Sequence, residues 1–175
     1  MSELPAAAPD ARSALLALYN QAVPDEYGYL LARCGRVAVA EDLTAETLFA
    51  AVDAVRREVP PPVSTAWLIG VARHKLVDHW RRVGREQRGL SALARDEPEF
   101  EDPWDVHLDG LFAQATLEQL TPQHRAALTF RYLDDLAVPD VAALLERSVH
   151  ATEGLLVLAR AAFRRAYRPE GASDA

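Results

Sequence analysis

Four arginines, Arg81, Arg82, Arg85 and Arg88, close a basic stretch that already holds Arg73, His74 and Lys75. A guanidinium presents a planar fork of donors that fits phosphate oxygens, and a lysine adds a compact charge. The chemistry such a cluster supports is the holding of a polyanion. From Ala66 to Leu90 there are six Lys/Arg against two acids, although the whole chain carries a net charge of −7. Basic charge concentrated in one segment of an acidic protein argues against an indiscriminate nucleic-acid binder. Metal or acid–base chemistry finds less support. His74 and Asp78 have i,i+4 spacing and His79 is adjacent, but two ligands are too few for a secure metal site. No His-Glu-x-x-His, P-loop or nucleophile motif occurs. The single cysteine, Cys34, has no partner for an internal disulfide or a thiolate zinc site and reads as a small buried hydrophobe. The expectation is a protein without catalytic residues, metal or cofactor, and not an enzyme.

The element that must carry the cations is a helix. Ile69, Ala72, Leu76, Trp80 and Val83 recur at three- and four-residue spacing, and Ser64 stands where it can cap the first free N–H groups. The arginines then fall at the end where the helix dipole favours positive charge. Trp67 and Trp80 are expected to be mainly packing residues. With 175 residues, half of them hydrophobic, and alanine and leucine dominant, the chain reads as all-α. A first helix spans Ala11 to about Cys34, with a kink or break expected at Pro24 and an end at Gly35. A second runs from about Glu41 to Val59, with Glu41 and Asp42 at its positive end. Its apolar face is Leu43, Thr47, Ala50, Ala51, Ala54 and Val55, widened by Leu48, Phe49 and Val52. Pro60-Pro61-Pro62 then stops it.

The pattern vanishes after Leu90. From Ser91 to Leu117 there is one arginine against seven acids, and residues 90–106 read as an extended linker. Phe100 and Trp104 are unusual in a pure tether and are expected to dock on something. Helical periodicity resumes near His107. Thr121 and Pro122 open one helix as N-cap and first residue, with Leu120, Ala127, Leu128 and Tyr132 packing inward. Asp134-Asp135-Leu136 makes a turn. Val138 to Leu145 is short, with Val141, Leu144 and Leu145 inside, and Ser148 caps a last helix to about Tyr167. Two short helices around a tight turn suggest a helix-turn-helix.

These segments resemble the sigma-70 family of RNA polymerase sigma factors, nearest to its extracytoplasmic-function group. Trp67-Leu68-x-x-Val71-Ala72-Arg73-x-x-x-Val77-Asp78-x-x-Arg81-Arg82 resembles the promoter-melting helix. Ala40-Glu-Asp-Leu-Thr-Ala-Glu-Thr-Leu-Phe49 resembles the region 2 segment that docks on the polymerase β′ clamp. Leu120-Thr-Pro, Arg131-Tyr, Leu136, Val141-Ala, Leu145, Ser148-Val, Ala161 and Phe163-Arg resemble region 4. The resemblance implies a region 2-like domain at 11–89, the linker at 90–106 and a region 4-like helix-turn-helix domain at 107–168. It implies that Asp42, Leu43, Glu46 and Thr47 bind core polymerase. The −10 element would meet Arg73, His74, Lys75, Arg81, Arg82, Arg85 and Arg88. The −35 element would meet Arg147, Ser148, His150, Thr152, Glu153, Arg160 and Arg164. The implied partners are core RNA polymerase, through its β and β′ subunits, promoter DNA and an anti-sigma factor.

Several residues depart from the family pattern. Ala45 and His74 replace a frequent glutamine and asparagine. Glu146 takes the turn position that usually holds glycine, where a positive φ would strain it. Glu153 and Leu155 stand where phosphate-binding cations are usual, so weaker −35 anchoring is expected. The alternative is a free-standing helix-turn-helix regulator that binds duplex DNA without polymerase, but such a protein has no need of the Trp67 helix. No apolar run reaches ~18 residues and no signal peptide is legible, so a cytoplasmic protein without membrane insertion is expected.

Overall fold

Helix-forming residues without strand-like alternation give an all-α protein. The computed structural model describes residues 10–90 and 110–167, and the side chains of 88–90 and 110–112 lie outside the description. The expected linker at 90–106 therefore falls almost wholly outside the described residues, as do Phe100 and Trp104. By packing, the chain forms two units, one ending at Leu76 and the other beginning at Val77.

In the first unit, α1 (Ala11–Cys34) is capped by Asp10, whose carboxylate accepts from the Ser13 N–H at 2.8 Å. Pro24 does not break it. Proline's fixed φ suits a helix, and Pro24 is exposed, so water can serve the carbonyl that loses its donor. Gly35 ends the helix at φ 71°, returning its N–H to the Leu31 carbonyl. Helix α2 (Val37–Val55) begins four residues before the expected Glu41 and ends before Val59. Glu41 and Asp42 thus sit beyond its first turn, and the dipole argument for them lapses. Helix α3 (Thr65–Leu90) is capped by Ser64, whose hydroxyl accepts from the Trp67 N–H at 3.1 Å. Leu15, Ala22, Ala51, Val55 and Leu68 form one core cluster, with Trp67 packed at its edge. Leu68 is buried in place of Ile69, so the inward stripe of α3 starts one position earlier than the spacing predicts.

Among the described residues, the second unit holds the rest of α3 and four further α-helices. Helix α4 (Gly110–Gln119) ends where the Arg125 side chain donates to the Leu117 and Glu118 carbonyls. Helix α5 (Pro122–Leu128) is capped by Thr121, which accepts from the His124 N–H at 3.3 Å. It widens into a π turn over Thr129–Leu133, and Asp135 turns the chain at φ 51°. Arg131 braces that turn, donating to the Leu136 carbonyl at 3.2 Å and pairing with Asp135 at 3.5 Å. Helices α6 (Val138–Leu144) and α7 (Val149–Ala166) follow. Leu117, Leu120, Ala127, Leu128, Leu155, Leu156, Ala159 and Phe163 make the core, with Tyr132 and Leu145 packed against it. No helix among the described residues is long and apolar enough to cross a membrane.

The packing boundary at Leu76/Val77 lies inside α3. The reason is apolar: Val77 and Trp80 are buried, and the Trp80 ring lies 5.6 Å from that of Phe130. The far half of α3 therefore carries its own apolar surface into the second unit.

Candidate nucleic-acid and polymerase interfaces

The α3 cations share the helix's wetter side. Leu68, Ala72, Leu76 and Trp80 face inward, while His74, Asp78, Arg82 and Arg85 are exposed and Arg73, Lys75 and Arg81 are half-buried. Arg73 sits over the Tyr29 ring at 5.9 Å, which holds its guanidinium against α1. Arg82 contacts His79 Nδ1 at 3.3 Å. Arg81 is flanked by two carboxylates, Asp78 at 3.6 Å and Glu146 at 3.2 Å. The Arg88 side chain lies outside the described residues. Trp67 is half-buried and Trp80 buried, as expected of packing residues.

The four α2 residues expected to meet polymerase separate by burial. Asp42 is exposed and Glu46 half-exposed. Leu43 and Thr47 are buried, and the Thr47 hydroxyl donates to the Leu43 carbonyl at 2.8 Å. Those two hold α2 in place rather than present side chains to solvent, because positions i and i+4 share the inward face. Conversely, Phe49 and Val52, expected to widen the buried face, are exposed, Phe49 by 74%. Asp42, Ala45, Phe49 and Val52 follow helical spacing along the outer face of α2. Sequence periodicity could not assign Phe49 to solvent, since aromatic residues at that spacing usually pack.

The helix-turn-helix closes at Leu145-Glu146-Arg147. Glu146 adopts φ 52°, the strained conformation that its position predicts. The Arg147 N–H reaches the Ala142 carbonyl at 2.9 Å, as in a helix C-terminus that usually ends on glycine. A glutamate there costs about 1 kcal/mol relative to glycine. Ser148 caps α7, accepting from the Ala151 N–H at 3.1 Å. Arg147 and the cap Ser148, just before α7, and His150, Glu153 and Arg164 on it are exposed, and His150 approaches Glu153 at 3.9 Å. Thr152 is not available to DNA: it is buried, with its hydroxyl donating to the Ser148 carbonyl at 3.0 Å. Arg160 turns to the Tyr132 hydroxyl at 3.3 Å and is half-buried, so it serves the core before it can serve a phosphate. Leu155 is likewise a core residue.

Two titratable groups lie away from these faces. Glu26 on α1 is fully buried, and neither carboxylate oxygen has a hydrogen-bond partner. Burial raises its pKa to about 7, eased slightly by the neighbouring Thr47, whose hydroxyl proton is committed to Leu43. His124 on α5 is pushed down, first by burial and then by the charge of Arg165. Among the described residues, no group of three or more His, Cys, Asp or Glu could hold a metal ion.

Comparison with known proteins joins the two faces. The Sigma-70 region 2 family matches residues 18–86, and the Sigma-70, region 4 family matches residues 113–163. The ECF RNA polymerase sigma factor SigL of Mycobacterium tuberculosis is 31% identical over 137 residues, covering 75% of this chain and 76% of that protein. The chain belongs to the extracytoplasmic-function group of the sigma-70 family. The ECF RNA polymerase sigma factor BldN of Streptomyces coelicolor is 30% identical over 143 residues, 79% of this chain. This sigma-family chain spans about half the length of BldN, 54%. Among solved structures, the sigma factor RpoE of Bartonella quintana, in complex with the anti-sigma factor NepR, is similar with a TM-score of 0.54. It is 19% identical, with 90% of this chain and 96% of that chain covered, a likeness of fold.

Proposed function

We propose that the chain is a transcription initiation factor that binds core RNA polymerase and directs it to promoters carrying −10 and −35 elements. The carrying observation is the pairing, in family order on one chain, of a basic helix face on α3 with a Ser148-capped recognition helix on α7. A duplex-binding regulator needs only the second.

In this reading Asp42 and Glu46 meet the polymerase, with Phe49 and Val52 as the apolar centre of the contact. His74, Lys75, Arg82 and Arg85 face the −10 strand, joined by Arg73 and Arg81 and, beyond the described side chains, Arg88. Holding an unstacked strand costs a few kcal/mol, which phosphate contacts and a base pocket offset. Arg147, Ser148 and His150 approach the −35 duplex at the N-terminal end of α7, Glu153 can accept from a cytosine amino group, and Arg164 adds a distal phosphate contact. The chain performs no covalent step itself and works in the cytoplasm. Its regulator is an anti-sigma factor, as RpoE's complex with NepR suggests.

Run-off transcription with core polymerase of the native host, with and without the chain, on a genomic fragment library tests the proposal. Specific transcripts sharing two spaced upstream elements are expected. A folded, inhibitor-free chain that neither binds core nor yields transcripts would overturn it.

A further inference from the structure

A cation that meets DNA gives up side-chain freedom when it binds, and an arginine has much of it to lose. Arg73 of α3 is restrained before that step. Its guanidinium carbon lies 5.9 Å from the centre of the Tyr29 ring on α1. A guanidinium within about 6 Å of an aromatic face is attracted by the ring's quadrupole. Attraction to a ring spends none of the guanidinium's N–H donors, which are the groups a phosphate needs.

Tyr29 is itself held from one turn further along α1. The Arg33 guanidinium lies over the same ring at 3.6 Å, and its side chain donates to the Tyr29 carbonyl at 3.0 Å. Residues four apart on a helix are neighbours, so this clamp is local and forms with the helix. Tyr29, Arg33 and Arg73 all belong to the first unit, and each is half-buried. Ala72, on one side of Arg73, is buried, and His74, on the other, is exposed. Arg73 thus stands at the rim of the proposed −10 face. There a ring on α1 can set its direction and leave part of it to solvent.

We propose that Tyr29, clamped by Arg33, is a positioning residue that holds the Arg73 guanidinium ready for a phosphodiester of the −10 strand. This inference rests on the reading of α3 as the −10 helix. Neither α1 residue has to touch DNA for it. Restraining one long side chain before binding is worth about three- to tenfold in affinity. The position needs a ring, since an aliphatic side chain of similar bulk fills the space and offers no quadrupole.

Holoenzyme assembled from core polymerase and the full chain tests the role. The probe is a labelled single-stranded oligonucleotide carrying the −10 element of a promoter found by run-off transcription. Tyr29→Leu is expected to weaken binding about three- to tenfold, and Tyr29→Phe, which keeps the ring, to retain it. Arg73→Ala is expected to cost at least as much as Tyr29→Leu, and in that background Tyr29→Leu should cost nothing more. A Tyr29→Leu loss that persists in full without Arg73 would overturn the positioning role, as would a Tyr29→Leu chain that binds like the unsubstituted one. Arg33→Ala leaves the ring in place and asks the same question should Tyr29→Leu fail to fold. It is expected to weaken binding about twofold, and only while Arg73 is present. An equal loss with and without Arg73 would overturn the clamp. Unsubstituted holoenzyme that yields no transcripts would instead overturn the initiation reading on which the role rests.

Discussion

Glu26 carries a large polar cost in the first unit. A carboxyl with no hydrogen-bond partner in a dry site keeps its proton, and its pKa stands at about 7 against an ordinary value of 4.5. The folded state therefore binds the proton more tightly than the unfolded chain. Its contribution is fully present below about pH 4.5 and is lost as pH rises through about 7. The loss is roughly 3 kcal/mol at most. Urea unfolding is expected to show stability falling between pH 5 and 8, and Glu26→Gln should flatten that fall. A variant with the wild-type slope would remove Glu26 as the cause. His124 works oppositely: its lowered pKa means that stability is present above the unfolded value of 6.5 and is lost as pH falls through the folded one. None of this was legible in the sequence, where Glu26 stands among polar neighbours and reads as one more solvated acid. Capping residues were legible. Ser64, Thr121 and Ser148 each accept from the N–H three residues on, because that bond is local and needs no tertiary partner.

Helices were legible in number and order, less so in phase and ends. Pro24 predicted a kink or a break, and α1 runs through it unbroken, while α2 starts at Val37 with only Gly35 and Arg36 between the two helices. The phase of α2 matters most for function. Its motif residues Leu43 and Thr47 fix the helix to its neighbours, while Asp42 and Phe49 share the outer face. Phe49→Ala is therefore expected to weaken binding to core polymerase five- to tenfold, as loss of an aromatic anchor does. It should leave the melting temperature within about 2 °C, since an exposed side chain supports little of the fold. Titration of labelled chain with core polymerase checks this, and unchanged affinity would move the contact off this face. On α7 the same logic concerns charge. Glu153 is exposed near the N-terminal end of α7, where we propose that DNA approaches, 3.9 Å from His150. Glu153→Gln should raise affinity for duplex promoter DNA two- to fivefold through lost repulsion of phosphate. A fall in affinity confined to sites with cytosine at one position would show that Glu153 reads that base instead.

At the scale of the whole molecule, the two family matches, residues 18–86 and 113–163, lie on either side of the acidic stretch, and packing groups the described residues from Val77 onward with the helix-turn-helix side. Val77 and Trp80 announce apolar surface but not what covers it, since hydrophobic burial is non-directional. Charge, by contrast, was read correctly as unevenly spread, and it decides how the free chain meets DNA. The net charge of −7 repels a polyanion overall. Locally, Arg81 is paired with Glu146, and Arg160 is turned to Tyr132. Among the described residues on the helix-turn-helix side, Arg147 and Arg164 stand exposed, with Arg147 3.2 Å from the Gln123 side-chain oxygen. Each phosphate contact contributes about 0.9 to the slope of log affinity against log salt, so two such contacts give the free chain an expected slope of about −2 on duplex promoter DNA. Polymerase-bound chain should bind far more tightly and lose affinity more steeply, because the α3 cations then join the contact. Anisotropy titrations of the full chain between 50 and 300 mM salt, with and without core polymerase, measure both. A slope of −6 or steeper for the free chain would mean that the α3 arginines already reach DNA unaided, and that no internal carboxylate restrains them.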